Sequence, residues 1–422
     1  MVKHKSIQGN RSYQQPSRTG ETQHSPKQAD RGEHNSTGTI VEAPTSFNDL
    51  PVEIQEKIAP FLNHYALAAC VRVCRSWKRV FHRQLWSHID LAWNEDDKPW
   101  QKRVCRALRT NRLFVRSLRL SLELDDLLPL FLRQCPAVPF PNLTAVEIEA
   151  PFEDDYEEEW LAGLFNLTTN GWKRIVFRKF KNRFSILEFD RYPFEEFLRL
   201  AAPTLEVLRT YDLSLVSMEK VDELLCTAPN LKELYISGGT DNTPNNWLHP
   251  EMFNESEWVC ANLEVFGCRI GGIPRPDITR TIDRRPASER VIEGTIQESV
   301  NLQRQVYARL AQFTKLRKLA LGFPIDNDED KRYKEFYRQF DCLAMTLDSG
   351  LDLLKGLKNL RLVALVDMEI YVDGEKEQAW FAENWPHATI KTEDDAKYQA
   401  SDDSDSDSWR TDDDDDDDDD DE

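Results

Sequence analysis

The sequence predicts an α/β chain in which a short three-helix module precedes an irregular solenoid of alternating strands and helices, with disordered segments at both ends. Three observations carry that prediction. Apolar residues fall at helical spacing in three short bursts between Phe47 and Leu91. From Leu113 onward, a short segment of alternating apolar and polar residues recurs eight times. Both ends of the chain are too polar to offset the entropy of ordering. The divisions that follow are a disordered leader at 1–45, the helical module at 46–92, a connecting helix at 93–112, the repeat domain at 113–372 with a surface insertion at 269–298, and an acidic disordered tail at 373–422.

In the module, Ile54, Ile58, Phe61 and Leu62 mark one face of a first helix. Leu50-Pro51 leads into it, with proline at the first helical position, where no hydrogen bond is lost. Asn48 and Asp49 are the candidate caps. Pro60 should kink or end this helix, because its ring clashes with the carbonyl of Glu56. Leu67, Cys70, Val71 and Cys74 form the second burst, and Trp77, Val80, Phe81 and Leu85 the third. Helices this short bury little alone, and a unit of about 45 residues sits near the lower limit for an independent core. A docking module is therefore expected. The pattern Leu50-Pro51-x-Glu53-Ile54, then Leu67-x-x-Cys70-x-x-Val73-Cys74-x-x-Trp77, then Leu85-Trp86-x-x-Ile89, resembles the F-box. That resemblance implies docking to an SCF adaptor subunit through Leu50, Pro51, Ile54, Leu67, Val71, Cys74 and Trp77, divided between the module's own core and the partner groove.

The recurring segments are FVRSLRLSL, PNLTAVEIE, GWKRIVFRK, PTLEVLRTY, PNLKELYIS, ANLEVFGCR, TKLRKLALG and KNLRLVALV. Aligned on Leu118, Val146, Ile175, Leu208, Leu234, Phe266, Leu319 and Val363, they are offset by 28, 29, 33, 26, 32, 53 and 44 residues. Helical stretches lie between them at DDLLPLFLRQC, EEEWLAGLFNL, PFEEFLRLA and SMEKVDELLC, with Pro193 and Ser217 as start signals for the last two. With asparagine before leucine at Asn142, Asn230, Asn262 and Asn359, the consensus resembles a degenerate leucine-rich repeat over about 110–370. The alternative is an ordinary doubly wound α/β domain. Turn residues and charge from Arg269 to Glu298 predict a surface insertion. Between Arg332 and Leu354, the spacing of Tyr333, Phe336, Phe340, Leu343, Leu347, Leu351 and Leu354 predicts a long amphipathic helix.

The formal net charge of −20 is unevenly held. Eighteen acidic and two basic residues give 393–422 a charge of −16, leaving −4 for the rest. Such acidic blocks repel themselves, and Ser401, Ser404, Ser406 and Ser408 suit acidophilic kinases; a solubilising tail is the simpler reading. Trp172 to Phe184 interleaves basic and aromatic residues, but a near-neutral body with an acidic tail does not predict a nucleic-acid partner. Eight cysteines, none in a CxxC pair, read as buried thiols of a reducing compartment. No metal or cofactor is expected, and His82 and His88 read as structural. The acidic run EDDYEEE at 153–159 reads as a solvated loop. Phosphate loops, HExxH and GxSxG are absent from the sequence, so no residue is a candidate for catalysis. The N-terminus lacks an apolar signal and no stretch is long enough to span a membrane, which predicts a protein of the cytoplasm or nucleus. The sequons at Asn142 and Asn166 are then ordinary sequence.

An F-box joined to leucine-rich repeats resembles the substrate receptors of SCF-type ubiquitin ligases. By that resemblance the chain is not an enzyme. It binds the adaptor and, through it, a cullin, while the repeats hold a target protein close to the conjugating machinery. Two alternatives stand beside this: a protein that binds the adaptor without a cullin or sequesters basic proteins through its tail, and an independent enzyme. If the leucine-type positions point inward, the outward rows gather Arg174, Arg178, Arg209, Tyr211 and Tyr235 over the third to fifth strands. Those types suit an interface, and the arginines suit an acidic or phosphorylated segment of the target.

Overall fold

The computed structural model describes residues 47, 50–93, 98–122, 139–149, 163–178, 192–211, 217–236, 247–277, 293–322, 339–366, 368, 370 and 374–392. The expected leader at 1–45, the caps Asn48 and Asp49, the helical stretch at 125–135, the loop at 153–159 and the tail at 393–422 lie outside them.

From Pro51 the chain folds into α1 (Val52–Ile58), α2 (His64–Val73) and α3 (Arg75–Leu85). Pro51 is the residue before α1, not its first helical residue. Pro60 ends the helix as expected, in a 3-10 turn over Ala59–Phe61. Asn63 then caps α2, its Oδ1 accepting from the Ala66 N–H at 2.9 Å. Cys74 does not continue the face of α2. Its backbone is extended (φ −159°), which separates α2 from α3, and its Sγ accepts from the Trp77 N–H at 3.5 Å.

α3 leads directly into β1 (His88–Trp93), a strand that the helical spacing does not announce. α4 (Lys98–Asn111) follows where a connecting helix was expected. The remaining strands are β2 (Ser117–Leu122), β3 (Ala145–Glu149), β4 (Arg174–Arg178), β5 (Val207–Thr210), β6 (Glu233–Ile236), β7 (Val265–Gly267), β8 (Lys318–Ala320), β9 (Leu362–Ala364) and β10 (Thr389–Lys391). Among the described residues they form one sheet of ten strands in sequence order, every neighbour parallel. The helices between them are α5 (Tyr192–Ala201), α6 (Met218–Thr227), α7 (Pro250–Glu255), α8 (Ile296–Leu310) and α9 (Glu375–Asn384).

The register matches the sequence alignment residue for residue: Leu118, Val146, Ile175, Leu208, Leu234, Phe266, Leu319 and Val363 are successive partners across the sheet. All eight are at most 1% exposed. A second buried row, Leu143, Trp172, Leu205, Leu231, Leu263, Leu316 and Leu360, enters the core three residues earlier in each unit. Helices close this face, with Leu198 from α5, Val221 and Leu225 from α6, and Val306 and Leu310 from α8 in the same core. Three of the four asparagines before these leucines share a distinct task. Asn142 Nδ2 donates to the Leu113 carbonyl at 2.6 Å, Asn230 to Pro203 at 2.9 Å and Asn359 to Thr314 at 2.9 Å. Each satisfies an acceptor in the previous unit's turn, where no strand partner reaches.

Three sequence expectations need correction. The segment after Arg269 is not wholly a surface insertion: Arg269, Ile270, Ile273 and Arg275 are buried, and 293–298 leads into α8, whose cap Thr295 forms a reciprocal capping box with Glu298. Residues 278–292 lie outside the described set. The long helix expected over 332–354 is not formed by residues 339–350. Met345 (φ +54°) and Gly350 (φ +107°) adopt left-handed backbone there, and only a 3-10 turn over Leu351–Gly356 follows. Phe340, Leu343, Leu351 and Leu354 are buried nonetheless. Tyr333 and Phe336 lie outside the described residues. Finally, the fold continues past 373, since α9 buries Phe381 and β10 adds the last strand.

Candidate functional site

The helical module divides its apolar residues in two. Ala59, Leu67, Val80 and Phe81 are buried, and Trp77 sets its ring edge-on to Phe81 at 5.7 Å. On the outside, Tyr65 is 89% and Phe61 88% exposed, with Val73, Val52 and Ile54 also open. Five of the nine exposed large apolar side chains among the described residues thus fall between Val52 and Val73. Such a concentration marks an interaction surface rather than scattered surface residues.

Of the residues singled out by the sequence, Pro51, Ile54 and Cys74 are exposed, Leu50, Val71 and Trp77 half-buried, and Leu67 buried. Leu67 therefore belongs to the module's own packing. Sequence spacing missed Tyr65 and Val73 as surface candidates, although both lie off the Leu67–Val71 stripe of α2 and that offset was the available signal. The module is tied to the sheet by the Ser87 carbonyl, which accepts from the Arg116 and Ser117 N–H groups, and by His82, whose ring meets Phe114 edge-on at 5.4 Å. Burial, assisted by Lys78, holds the His82 imidazole below its ordinary pKa.

On the sheet face away from the helices lie Arg174, Arg178, Arg209, Tyr211 and Tyr235, but not as open contact residues. Tyr211 and Tyr235 are 2% and 3% exposed and join Val176, Val265, Ala320 and Ala364 in a second apolar cluster. Their rings stand 5.5 Å apart, the Arg178 guanidinium lies 5.0 Å over Tyr211, and the Lys318 ammonium lies 4.7 Å over Tyr235. Gly267 makes room for this: a Cβ there would meet the Tyr235 ring at 2.3 Å.

The arginines are neutralised within the sheet. Arg178 Nε donates to Glu147 at 2.8 Å, and Arg209 donates twice to Glu233, at 2.6 and 3.0 Å. Although burial opposes the Arg209 charge, Glu233 outweighs it and holds the guanidinium above its ordinary pKa. Arg119 adds a third such link, to Glu149 at 3.1 Å. Arg174 forms no ion pair among the described residues. An acidic segment approaching this face would meet Glu147, Glu149 and Glu233 as well as arginine, because the carboxylates sit in the adjacent strand positions.

Among the described residues, no group of three His, Cys, Asp or Glu side chains is placed to hold a metal ion, and no helix is long and apolar enough to cross a membrane. Burial pushes the Cys268 thiol up and raises that of Cys260 to about 12. What the residues build is a small helical module with an exposed apolar surface, joined to a parallel sheet. Residues 47–92 match the F-box-like family. That match identifies an F-box-like domain and points to an SCF-type adaptor-binding role. No curated protein matches the chain.

Proposed function

We propose that the chain is a substrate-recognition subunit of an SCF-type ubiquitin ligase, in which Val52, Ile54, Phe61, Tyr65 and Val73 dock to the adaptor and the ten-stranded domain, a leucine-rich-repeat solenoid, holds the target. The observation that carries the reading is an exposed apolar surface on the segment that matches the F-box-like family. Parallel units in unbroken sequence order support the solenoid. The chain contributes proximity and no catalytic side chain, and a cullin joins through the adaptor.

The proposed target surface keeps the sheet face but changes the chemistry expected from sequence. Its ladder of Arg119, Glu147, Glu149, Arg178, Arg209 and Glu233 suits a target segment of mixed charge, which can exchange pairs with both signs. Arg174, which forms no ion pair among the described residues, is a cation placed to pair outward.

Affinity purification of the full chain tests the reading. The adaptor and a cullin should co-purify, and Ile54→Asp combined with Phe61→Asp should remove both while the circular dichroism spectrum stays the same. Adaptor without cullin would leave the non-ligase alternative standing. Retention of the adaptor by the double variant would refute the docking surface.

A further inference from the structure

The N-terminal part of the described fold has a charge character that, Arg119 apart, neither the docking surface nor the sheet face uses. Between His64 and Leu122 the chain carries thirteen Lys and Arg against four Asp and Glu, a net +9 within a protein of net −20. α2, α3 and α4 are the described helices without a single acidic residue. On α3, Arg79 and Arg83 are exposed one turn apart; on α4, Arg103 and Arg106 are exposed away from the buried Cys105 and Leu108, and Lys102 is exposed one turn before Cys105. Exposed Arg116 sits at the turn where His82 meets Phe114 and the Ser87 carbonyl accepts from the Arg116 N–H, which brings the C-terminal end of α3 to the turn after α4.

None of these six side chains forms an ion pair among the described residues. Elsewhere the strand ends do pair: Lys173 and Lys232 both reach Glu206, at 3.0 and 2.6 Å, and Arg317 reaches Glu264 at 2.5 Å. The six cations on α3, on α4 and in the turn after α4 thus stand close in sequence without an ion pair among the described residues. They are also distinct from the apolar docking residues on α1, the 3-10 turn and α2.

We infer that this basic surface is the binding site of the chain's own acidic terminus, residues 393–422. The charges are complementary, with −16 on the terminus against +9 on the segment. Reach is not limiting. The chain leaves β10 at Lys391, and β2 lies eight strand positions away. At about 4.8 Å per strand, that is about 40 Å. Thirty extended residues cover about 100 Å. Covalent attachment supplies an effective concentration of about a millimolar or more, so the contact forms within one chain before an external polyanion competes. Its strength falls with salt, because every contact is between solvent-facing charges.

Zero-length carbodiimide cross-linking of the full chain tests this, with Lys102 as the amine and the terminal carboxylates as partners. At low salt, amide links should join Lys102 to residues of 393–422. In a mixture of isotopically light and heavy protein they should stay within single chains. About 0.5 M salt should remove them. Arg103→Glu with Arg106→Glu should reduce them by about fivefold or more with an unchanged circular dichroism spectrum. Absence of the links at low salt, or links indifferent to the double variant, would overturn the assignment. Light-heavy links in statistical proportion would place the terminus on a second copy and overturn it equally. An oligonucleotide of about 20 nucleotides is the competing occupant. If it binds the intact chain as tightly as a chain truncated after Thr392, the surface is open and the inference fails.

Discussion

The helical module and the sheet domain use the same kinds of apolar residue to opposite ends. In the sheet, Leu, Ile and Phe recur in register and disappear into a continuous core, each unit covering the exposed edge of the one before. In the module, three short helices bury Leu67, Val80 and Phe81 and leave Phe61 and Tyr65 almost fully open. The difference teaches where each part stores its energy: the sheet has realised it in folding, whereas the module leaves part of its apolar surface unburied.

Truncations should separate the two regions most strongly. Phe266→Ala in the sheet core should cost about 3–5 kcal/mol in denaturant unfolding, through lost burial and a residual cavity. Phe61→Ala in the module should stay within about 0.5 kcal/mol in the same measurement. Its effect should appear instead in adaptor titration, as a loss of about tenfold or more. A large stability loss from Phe61→Ala would erase the distinction.

Next in size is Gly267→Ala, whose Cβ would press on the Tyr235 ring. We expect a loss of about 1–3 kcal/mol, measured by thermal unfolding. Restored stability in a Gly267→Ala, Tyr235→Leu double variant would show that the clash, and not backbone freedom, is the cause.

The smallest effect concerns pH. His82 is held below its ordinary pKa in the folded state, so the folded chain binds fewer protons there than the unfolded one. Its contribution is present above about pH 6.5 and is lost as pH falls through the depressed folded value. Thermal stability followed from pH 7.5 to 5 should therefore show an acid slope that is shallower in His82→Gln. An identical slope in that variant would assign the acid sensitivity to other groups.

Much of the sheet was legible because parallel units repeat their spacing: the eight aligned residues are register partners even across the long offsets of 53 and 44. β1 and β10 escaped detection because each abuts a stretch of other character, one ending the module and the other preceding the acidic run. The helix expected over 332–354 failed at Gly350, whose φ of +107° no regular helix contains, although its apolar spacing was sound as a burial pattern. At the sheet face, alternation told which way Arg178, Arg209, Tyr211 and Tyr235 point but not what they meet. Glu147 and Glu233 come from neighbouring strands, and although the aligned register sets them near the arginines, which diagonal neighbour each guanidinium reaches depends on twist and rotamer. In the module the residue types carried the F-box resemblance, while the split between inside and outside depended on how α2 and α3 pack.

Amide hydrogen exchange of the full chain with and without the adaptor addresses the central claim most directly. Protection should appear over Val52–Val73 and leave the strands from Ala145 to Ala364 unchanged, since the proposed adaptor contacts all lie in the module and none in the sheet. Protection centred on the sheet, or none anywhere at saturating adaptor, would contradict the account.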